Sequence, residues 1–421
     1  MPVGGFGRSV AVLAGGTALG QALALLAAPI LTRLYTPEDF GILGVYASLL
    51  GICAAIASLR YEYSIPIPES DRDAAALTSL ALAIIPIAVG SMTVITFLLS
   101  DQIINWTSTP AFAPYLWMLP IGIALWSTYN VLTFWAIRKK NFHLVATTKV
   151  SQSIATIITQ AVLFPIGAPG LLVGHMLSGA IGISSLRNFI KQNNRDAFRA
   201  VKIIDATRNA RQFRKFALYG TPSGLVNAAG LLSPVLLLAA SHGPEAAGQL
   251  ALLQRIAAAP LRLIGTAINK VYFAEAASEI RKGGSSLNSL YLKTSKRLGT
   301  AALASTLLMF VFGPTVFPLL FGEQWIIAAR WSRPMAIMLG VQLIASPLSQ
   351  TLNALQLQAW QLGWDVTRLS FITLAFALGA YNTWSADIVV TAYLFASGIS
   401  YVLLWAIGLL AVIQKSPKKM H

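Results

Sequence analysis

Residues 241–276 read SHGPEAAGQLALLQRIAAAPLRLIGTAINKVYFAEA, and the interpretation of the whole chain begins with this segment. Gly243 and Pro244 are predicted to be the N-cap and the first helical position, because proline's missing N–H costs nothing there. The residues that follow are apolar except for a few polar side chains, among them Arg255 and Arg262. Because these arginines are two helical turns apart, both guanidiniums leave the same face of the helix.

These two arginines predict an anion-binding face. At about 1.5 Å per residue they lie roughly 16 Å and 27 Å below the helix start. A cation at such depth in a bilayer costs at least about 2.5–3.5 kcal/mol and faces a watery cavity or a partner. A guanidinium stays charged when desolvated and binds phosphate through two parallel hydrogen bonds. We therefore assign Arg255 and Arg262 to a substrate site, together with Lys270 further along the helix. A structural role stays open, since Arg262 could cap the carbonyl that Pro260 frees.

The composition is that of an integral membrane protein. Of 421 residues, 56% are hydrophobic and 11% charged, whereas a soluble domain is nearer a quarter charged. The net charge of +16 would suggest nucleic acid in a soluble protein, but membrane proteins concentrate basic residues in their cytoplasmic loops. We therefore predict no nucleic-acid partner. The single cysteine, the scattered histidines and the lack of a nucleotide-binding motif also predict no disulfide, metal, cofactor or catalytic residue.

Apolar runs of spanning length recur along the chain and predict twelve transmembrane helices. Connections alternate between short or neutral turns and basic loops, the largest of which carries nine basic residues between positions 187 and 215. The positive-inside rule then places both termini in the cytoplasm. The predicted spans are 10–31, 40–67, 74–99, 113–136, 147–166, 171–190, 216–240, 246–276, 298–320, 331–353, 366–381 and 387–413.

An internal repeat divides these helices into two sets of six. PEDFG at 37–41 and PEAAG at 244–248 each begin the second helix of a half, 207 residues apart. The predicted domains are an N-terminal lobe at 1–190, a basic cytoplasmic linker at 191–215, which includes a short amphipathic helix on the inner leaflet, and a C-terminal lobe at 216–421. Because each half has an even number of helices, we expect a pseudo-two-fold axis along the membrane normal. Transporters built this way bind substrate between their halves.

Four further residues inside the predicted spans are candidates for the substrate site or for coupling. Arg60 and Glu62 are two residues apart, do not share a helix face, and are each expected to have a distant partner or to contact substrate. Gln21 is a polar residue inside the first span, tolerated where neighbours or water satisfy it. His175 is either a hydrogen-bonded interhelical residue or a protonatable coupling group.

One more pair of candidates lies near the start of the eleventh predicted helix. Asp365 and Arg368 have the three-residue spacing that allows a local ion pair on a helix. We favour a local structural pair, with a role in coupling or gating as the alternative.

Several motifs taken together resemble the lipopolysaccharide O-antigen flippases of the Wzx type, in the superfamily that also contains multidrug MATE exporters and the lipid II flippase. The resemblance covers nearly the whole chain and is carried by order and spacing rather than by any single motif. The motifs are LTRLYTPEDFG at 31–41, LRYE at 59–62, YGTP at 219–222, GPEAAG at 243–248, FGEQW at 321–325 and WDVTR at 364–368.

The resemblance implies a V-shaped, MATE-like fold of two six-helix lobes. It implies an undecaprenyl-diphosphate-linked oligosaccharide as substrate, moved from the inner to the outer leaflet of the bacterial inner membrane with an H⁺ or Na⁺ gradient. The family's cationic cavity residues correspond to Arg60, Arg255 and Arg262. Membrane lipids, a polysaccharide polymerase and chain-length machinery are the implied partners of a monomer.

Two other classes of function remain as alternatives. A MATE-type drug or cation antiporter is disfavoured, because cationic cargo does not suit a cavity that carries arginines. A membrane polymerase or ligase acting on the same lipid carrier would need catalytic groups and usually a sizeable external loop, whereas the predicted external connections are short and hold no cluster of histidines or carboxylates.

Overall fold

The computed structural model describes residues 3–281, 286–355 and 357–415, with side chains except at 3–11, 13, 260–267, 270, 274, 281 and 415. These residues form helices joined by short connections and contain no strand, which confirms the all-α prediction. Eight of the described helical segments are long and apolar enough to cross a bilayer, so the chain is a multi-pass membrane protein. The chain divides into two compact units, residues 1–248 and 249–421.

The first unit holds ten of the described helices and the first part of an eleventh. The eleventh is a 61-residue helix whose backbone leaves helical geometry at Gly243 (φ 81°, ψ 174°), where a new helical segment starts with Pro244. That break confirms the predicted N-cap. The helices are α1 (Val3–Leu34), α2 (Pro37–Ala54), α3 (Asp71–Leu98), α4 (Ser100–Thr107), α5 (Met118–Arg138), α6 (Phe142–Val162), α7 (Ala168–Ala180), α8 (Ile183–Asn193), α9 (Arg195–Arg199), α10 (Ile203–Gln212) and α11 (Thr221–Arg281).

The second unit contains the rest of α11 and five further helices. Its core lies where α13 packs against α12 and α16, and α16 packs against α15. These helices are α12 (Leu287–Phe321), α13 (Ile326–Leu348), α14 (Gln350–Ala354), α15 (Gln358–Tyr381) and α16 (Ala386–Lys415).

Each of the twelve predicted spans falls on a helix, but the count of twelve is not confirmed, because eight segments meet the length and hydropathy of a span. One predicted helix is also wrong in extent. The second was expected over 40–67, but α2 ends at Ala54 and the chain continues in turns with bonds between residues three apart. The sixth, expected over 171–190, lies within the candidate span Ala168–Asn193, which is interrupted after Ala180, where Gly182 adopts a left-handed conformation (φ 93°) between α7 and α8.

Small residues let helices of the first unit approach closely, as is usual in membranes, where packing rather than the hydrophobic effect drives association. Gly16 and Gly20 of α1 face α6: an added Cβ at Gly20 would lie 3.2 Å from the carbonyl oxygen of Lys149. The Ser153 hydroxyl donates to the carbonyl of Gly20 at 2.7 Å. These contacts therefore place Gly20 of α1 beside Lys149 and Ser153 of α6.

The two repeated motifs meet each other inside the first unit. A Cβ added at Gly41 would overlap the carbonyl group of Pro244, and a Cβ added at Gly248 would overlap that of Pro37. The last glycine of each motif thus packs on the proline carbonyl of the other motif. Reciprocal contact of this kind is what a two-fold relation between equivalent segments produces.

Part of the predicted linker belongs to the first unit, where α10 packs against α3. Asp205 of α10 accepts from Arg72 at 2.8 Å, and Asn209 donates to Asp73 at 2.9 Å. The backbone N–H of Lys202 and the Arg72 guanidinium hold the pKa of Asp205 below its usual range. The expected short helix is therefore present as α10, while its position on the inner leaflet stays a prediction.

Candidate functional site

A half-buried cation beside two aromatic rings lies inside the first unit. Lys149, about 10 Å into α6, places its ammonium 4.6 Å from the ring centroid of Tyr129 and 5.7 Å from that of Trp126, both on α5. Cation–π contacts of this kind are worth up to about 2 kcal/mol when desolvated. Gln152 is the one described hydrogen-bond partner, with its Oε1 3.4 Å from Nζ, and no described carboxylate forms an ion pair with Lys149. We call Lys149, Trp126, Tyr129, Gln152 and His175 the Lys149 cluster.

Two of the site residues predicted from the sequence, His175 and Gln21, lie close to residues that contact Lys149 or to its backbone. His175 of α7 stacks on Trp126, with ring centroids 5.9 Å apart and planes 27° apart. Gln21 follows Gly20, the residue that packs against the backbone of Lys149. Its Oε1 is buried without a hydrogen-bond partner among the described residues. The structure therefore brings His175 and Gln21 to the level of one cation that the sequence reasoning missed.

The donors of the Lys149 cluster outnumber its acceptors. The indole N–H of Trp126 is buried and donates to no described residue, and the ammonium of Lys149 carries three donors. A buried donor without a partner costs roughly 1–3 kcal/mol, so its presence requires an explanation. The arrangement can accept an anionic or hydroxyl-rich ligand that supplies the missing acceptors. The sequence did carry a signal, since Lys149 is the one Lys or Arg between positions 141 and 186.

The structure corrects the predicted surroundings of Glu62. Neither Arg60 nor Glu62 belongs to α2; Arg60 precedes a short 3₁₀-helix, Tyr61–Ser64, and adopts a left-handed conformation (φ 61°). Glu62 is buried and accepts from the hydroxyl of Ser58, four residues earlier. Glu62 therefore has a local hydrogen-bond partner in the turn after α2, while its distant partner or contact with substrate stays a prediction.

The guanidinium of Arg60 packs against α11 at Gly224, which has no side chain. Its Cζ is 4.8 Å from the ring centroid of Tyr63. A Cβ added at Gly224 of α11 would overlap the guanidinium. Arg60 forms no ion pair with a described residue, and it stays a candidate cation of the substrate site.

The predicted arginine face on α11 is described in part. Arg255 is half-buried, and the neighbouring Gln254 donates to the hydroxyl of Tyr393 at 3.1 Å. The side chains of Arg262 and Lys270 lie outside the described residues. Arg255 therefore stays a candidate, and nothing further bears on the other two.

The predicted local ion pair of the second unit is present and buried. Arg368 Nη2 lies 3.4 Å from Asp365 Oδ1, and each residue is 4% exposed. The Arg368 guanidinium also stacks on Trp364, 4.7 Å from the ring centroid, and the indole N–H donates to the carbonyl of Ser400 at 2.6 Å. The cluster joins α15 to α16.

A buried pair of this kind predicts a characteristic mutational pattern. Arg368→Ala should lower the free energy of unfolding by about 3–5 kcal/mol, because it leaves the Asp365 carboxylate buried without its cation. The double change Asp365→Leu with Arg368→Met should recover most of that loss, since an apolar pair removes both charges. Thermal unfolding of the purified variants measures this. A double variant that is stable and transports assigns the pair to structure, whereas a stable double variant without transport assigns it to coupling.

The fold is that of known transporters. The chain superposes on the lipid II flippase MurJ in an inward closed conformation with a TM-score of 0.75, 13% identity, and coverage of 96% of this chain and 89% of that one. An inward-facing multidrug resistance MATE transporter of the MOP superfamily gives 0.72, 15% identity, and coverage of 95% and 96%. A mutant of the Vibrio cholerae MATE transporter VcmN superposes with a TM-score of 0.61 and 15% identity, and the match covers 97% of this chain and 96% of that one. None of the curated proteins compared with the chain matches it in sequence.

Fold and site together define a polytopic helical membrane protein that shares the fold of known transporters and holds a cation beside aromatic rings inside its first unit. The chain belongs to the polysaccharide biosynthesis protein family, whose model matches residues 30–330. This membership and the shared fold confirm the relationship that the sequence motifs predicted.

Proposed function

We propose that the chain is a flippase that moves an undecaprenyl-diphosphate-linked oligosaccharide from the inner to the outer leaflet of the bacterial cytoplasmic membrane. Family membership supports a role in polysaccharide assembly, and the shared fold supports transport rather than catalysis. The observation that carries the substrate class is the Lys149 cluster. Its cation and its unpartnered indole N–H suit phosphate and sugar oxygens.

The cluster also suits both polar parts of such a substrate, the diphosphate and the oligosaccharide. A diphosphate supplies charged acceptors for Lys149, and charge-assisted hydrogen bonds are about twice as strong as neutral ones. Trp126 and Tyr129 present rings beside the cation. The polyprenyl tail stays in lipid while the sugars cross in a hydrated space. Alternating access requires that inward and outward forms differ in affinity for substrate and coupling ion.

The remaining parts of the proposal follow from topology and family. Both termini face the cytoplasm, H⁺ or Na⁺ supplies the driving force, and the protein works as a monomer beside a polysaccharide polymerase and chain-length machinery. His175, which stacks on Trp126, is the proposed protonatable group of the first unit.

Reconstitution tests this function directly. Purified protein in liposomes should move a fluorescent polyprenyl-diphosphate oligosaccharide between leaflets, and ethidium should not compete. Liposomes in which only ethidium moves would favour the MATE-type antiporter. Turnover of the glycan lipid without translocation would favour an enzyme, and either outcome would overturn the proposal.

Arg255 gives a residue-level prediction for the second unit. Arg255→Ala should reduce flipping about tenfold or more, since a hydrogen bond to a charged group is worth about 1.5–3 kcal/mol, while Arg255→Lys should keep part of it. Arg333→Ala is the matched control, because Arg333 is exposed and lies over Phe310 on the same unit. Wild-type flipping by Arg255→Ala at equal protein level would remove this arginine from the substrate site.

A further inference from the structure

An apolar groove opens on the outer face of the second unit, near the predicted cytoplasmic end of α12. It encloses about 470 Å³ between α12, α13 and α16, within the range of ligand cavities. Most of its lining is apolar, and Leu292 and Val402 at its edge are 45% and 50% exposed. The lining residues are Leu292, Ser295, Lys296, Val341, Ile344, Val402 and Trp405.

The polar groups on the floor of this groove are already used by the protein. Trp405 donates its indole N–H to the Ser295 hydroxyl at 3.0 Å, and that hydroxyl donates to the carbonyl of Tyr291 at 2.9 Å. The Tyr291 hydroxyl in turn donates to the carbonyl of Trp405 at 2.6 Å. This closed set of bonds ties α12 to α16. The floor therefore offers an occupant apolar surface rather than hydrogen bonds.

The mouth of the groove is cationic. Lys296 belongs to the lining, and Lys293 and Arg297 are its exposed neighbours on α12. None of the three forms an ion pair with a described residue. Further along α12, Leu303, Leu307 and Phe310 are exposed, as expected of a helix that faces lipid.

We propose that this groove binds an anionic phospholipid of the inner leaflet, with an acyl chain in the groove and the headgroup phosphate at Lys296. Basic pockets between transmembrane helices on the cytoplasmic side are where anionic lipid headgroups bind. The charge of the three basic residues complements the headgroup, while the apolar floor fits the chain. The site lies within the second unit and involves no residue assigned to substrate.

Lipid binding by the intact purified protein tests the proposal. Native mass spectrometry should find one dioleoylphosphatidylglycerol bound per protein. This lipid should stay bound at collision energies that remove dioleoylphosphatidylcholine. Lys296→Gln should weaken its binding about fivefold, given roughly 1 kcal/mol per basic residue near the surface. Val402→Trp should displace it by filling the groove from its exposed edge. Lys140→Gln, the same change at an exposed lysine of the first unit, should leave it unchanged.

Three outcomes would overturn the assignment. Equal retention of the two phospholipids would remove the role of charge. Wild-type binding in both Lys296→Gln and Val402→Trp would place the lipid elsewhere. Displacement of phosphatidylglycerol by undecaprenyl phosphate at equal concentration would assign the groove to the tail of the transported lipid instead. Because every readout is binding, failure here is distinct from failure of the flippase assignment.

Discussion

Lys149→Met should fold as well as the wild type and flip substrate at least tenfold more slowly. Methionine keeps an apolar stem of similar length against Trp126 and Tyr129, and it removes a cation that no described carboxylate neutralises. A charged side chain in a bilayer costs about 2.5–3.5 kcal/mol, so the variant should be at least as stable as the wild type. If the ammonium holds phosphate, its loss should cost about 1.5–3 kcal/mol of binding, or roughly ten- to hundredfold.

A Lys149→Met variant that keeps its stability but loses transport shows that Lys149 binds a ligand, since loss of a structural residue would lower the stability instead. Lys149→Arg should retain part of the flipping, and Trp126→Phe should lower it severalfold by deleting the indole N–H while keeping a ring. Lys140→Gln serves as the control for charge. Thermal unfolding and liposome flipping are measured on the same preparations. A less stable Lys149→Met variant with unchanged flipping per folded molecule would make Lys149 a packing residue.

The fold was predictable from the sequence because hydropathy and loop charge are summed over many residues. The break at Gly243 was predictable for a local reason, since a proline at the first helical position fixes where a helix begins. The ion pair of Asp365 and Arg368 was predictable because its partners are three residues apart on one helix.

The candidate site was predictable only in part, because its residues come from helices far apart in the sequence. Lys149 became a candidate because it lies beside rings on α5, one of which stacks on His175 of α7. No spacing rule in the sequence connects these residues. The placement of Arg60 and Glu62 on a long second helix was wrong for a local reason. An apolar run continued past Ala54, and periodicity does not reveal that two consecutive residues, Leu59 and Arg60, adopt positive φ there.

Gly248→Ala should lower the free energy of unfolding by about 1–3 kcal/mol, the usual cost of overpacking. The new Cβ would overlap the backbone carbonyl of Pro37, which no side-chain rotation can move aside, so the two helical segments must separate. Gly41→Ala should behave alike, because its Cβ would overlap the carbonyl of Pro244. The controls are Gly90→Ala and Gly299→Ala, where an added Cβ meets nothing within 4 Å. Both should be neutral or stabilising by up to about 1 kcal/mol, as expected when alanine replaces glycine inside a helix.

The double variant Gly41→Ala with Gly248→Ala tests whether the repeated motifs form one crossing. If both glycines hold the same two segments together, the separation forced by the first methyl already makes room for the second. The double variant should then cost less than the sum of the single variants, with an interaction free energy of about 0.5 kcal/mol or more. Additive losses would mean that the two contacts yield independently and that the motifs do not act as a symmetric pair. Thermal unfolding of the four proteins measures the cycle, and equal stability of all four would remove the crossing from the determinants of this fold.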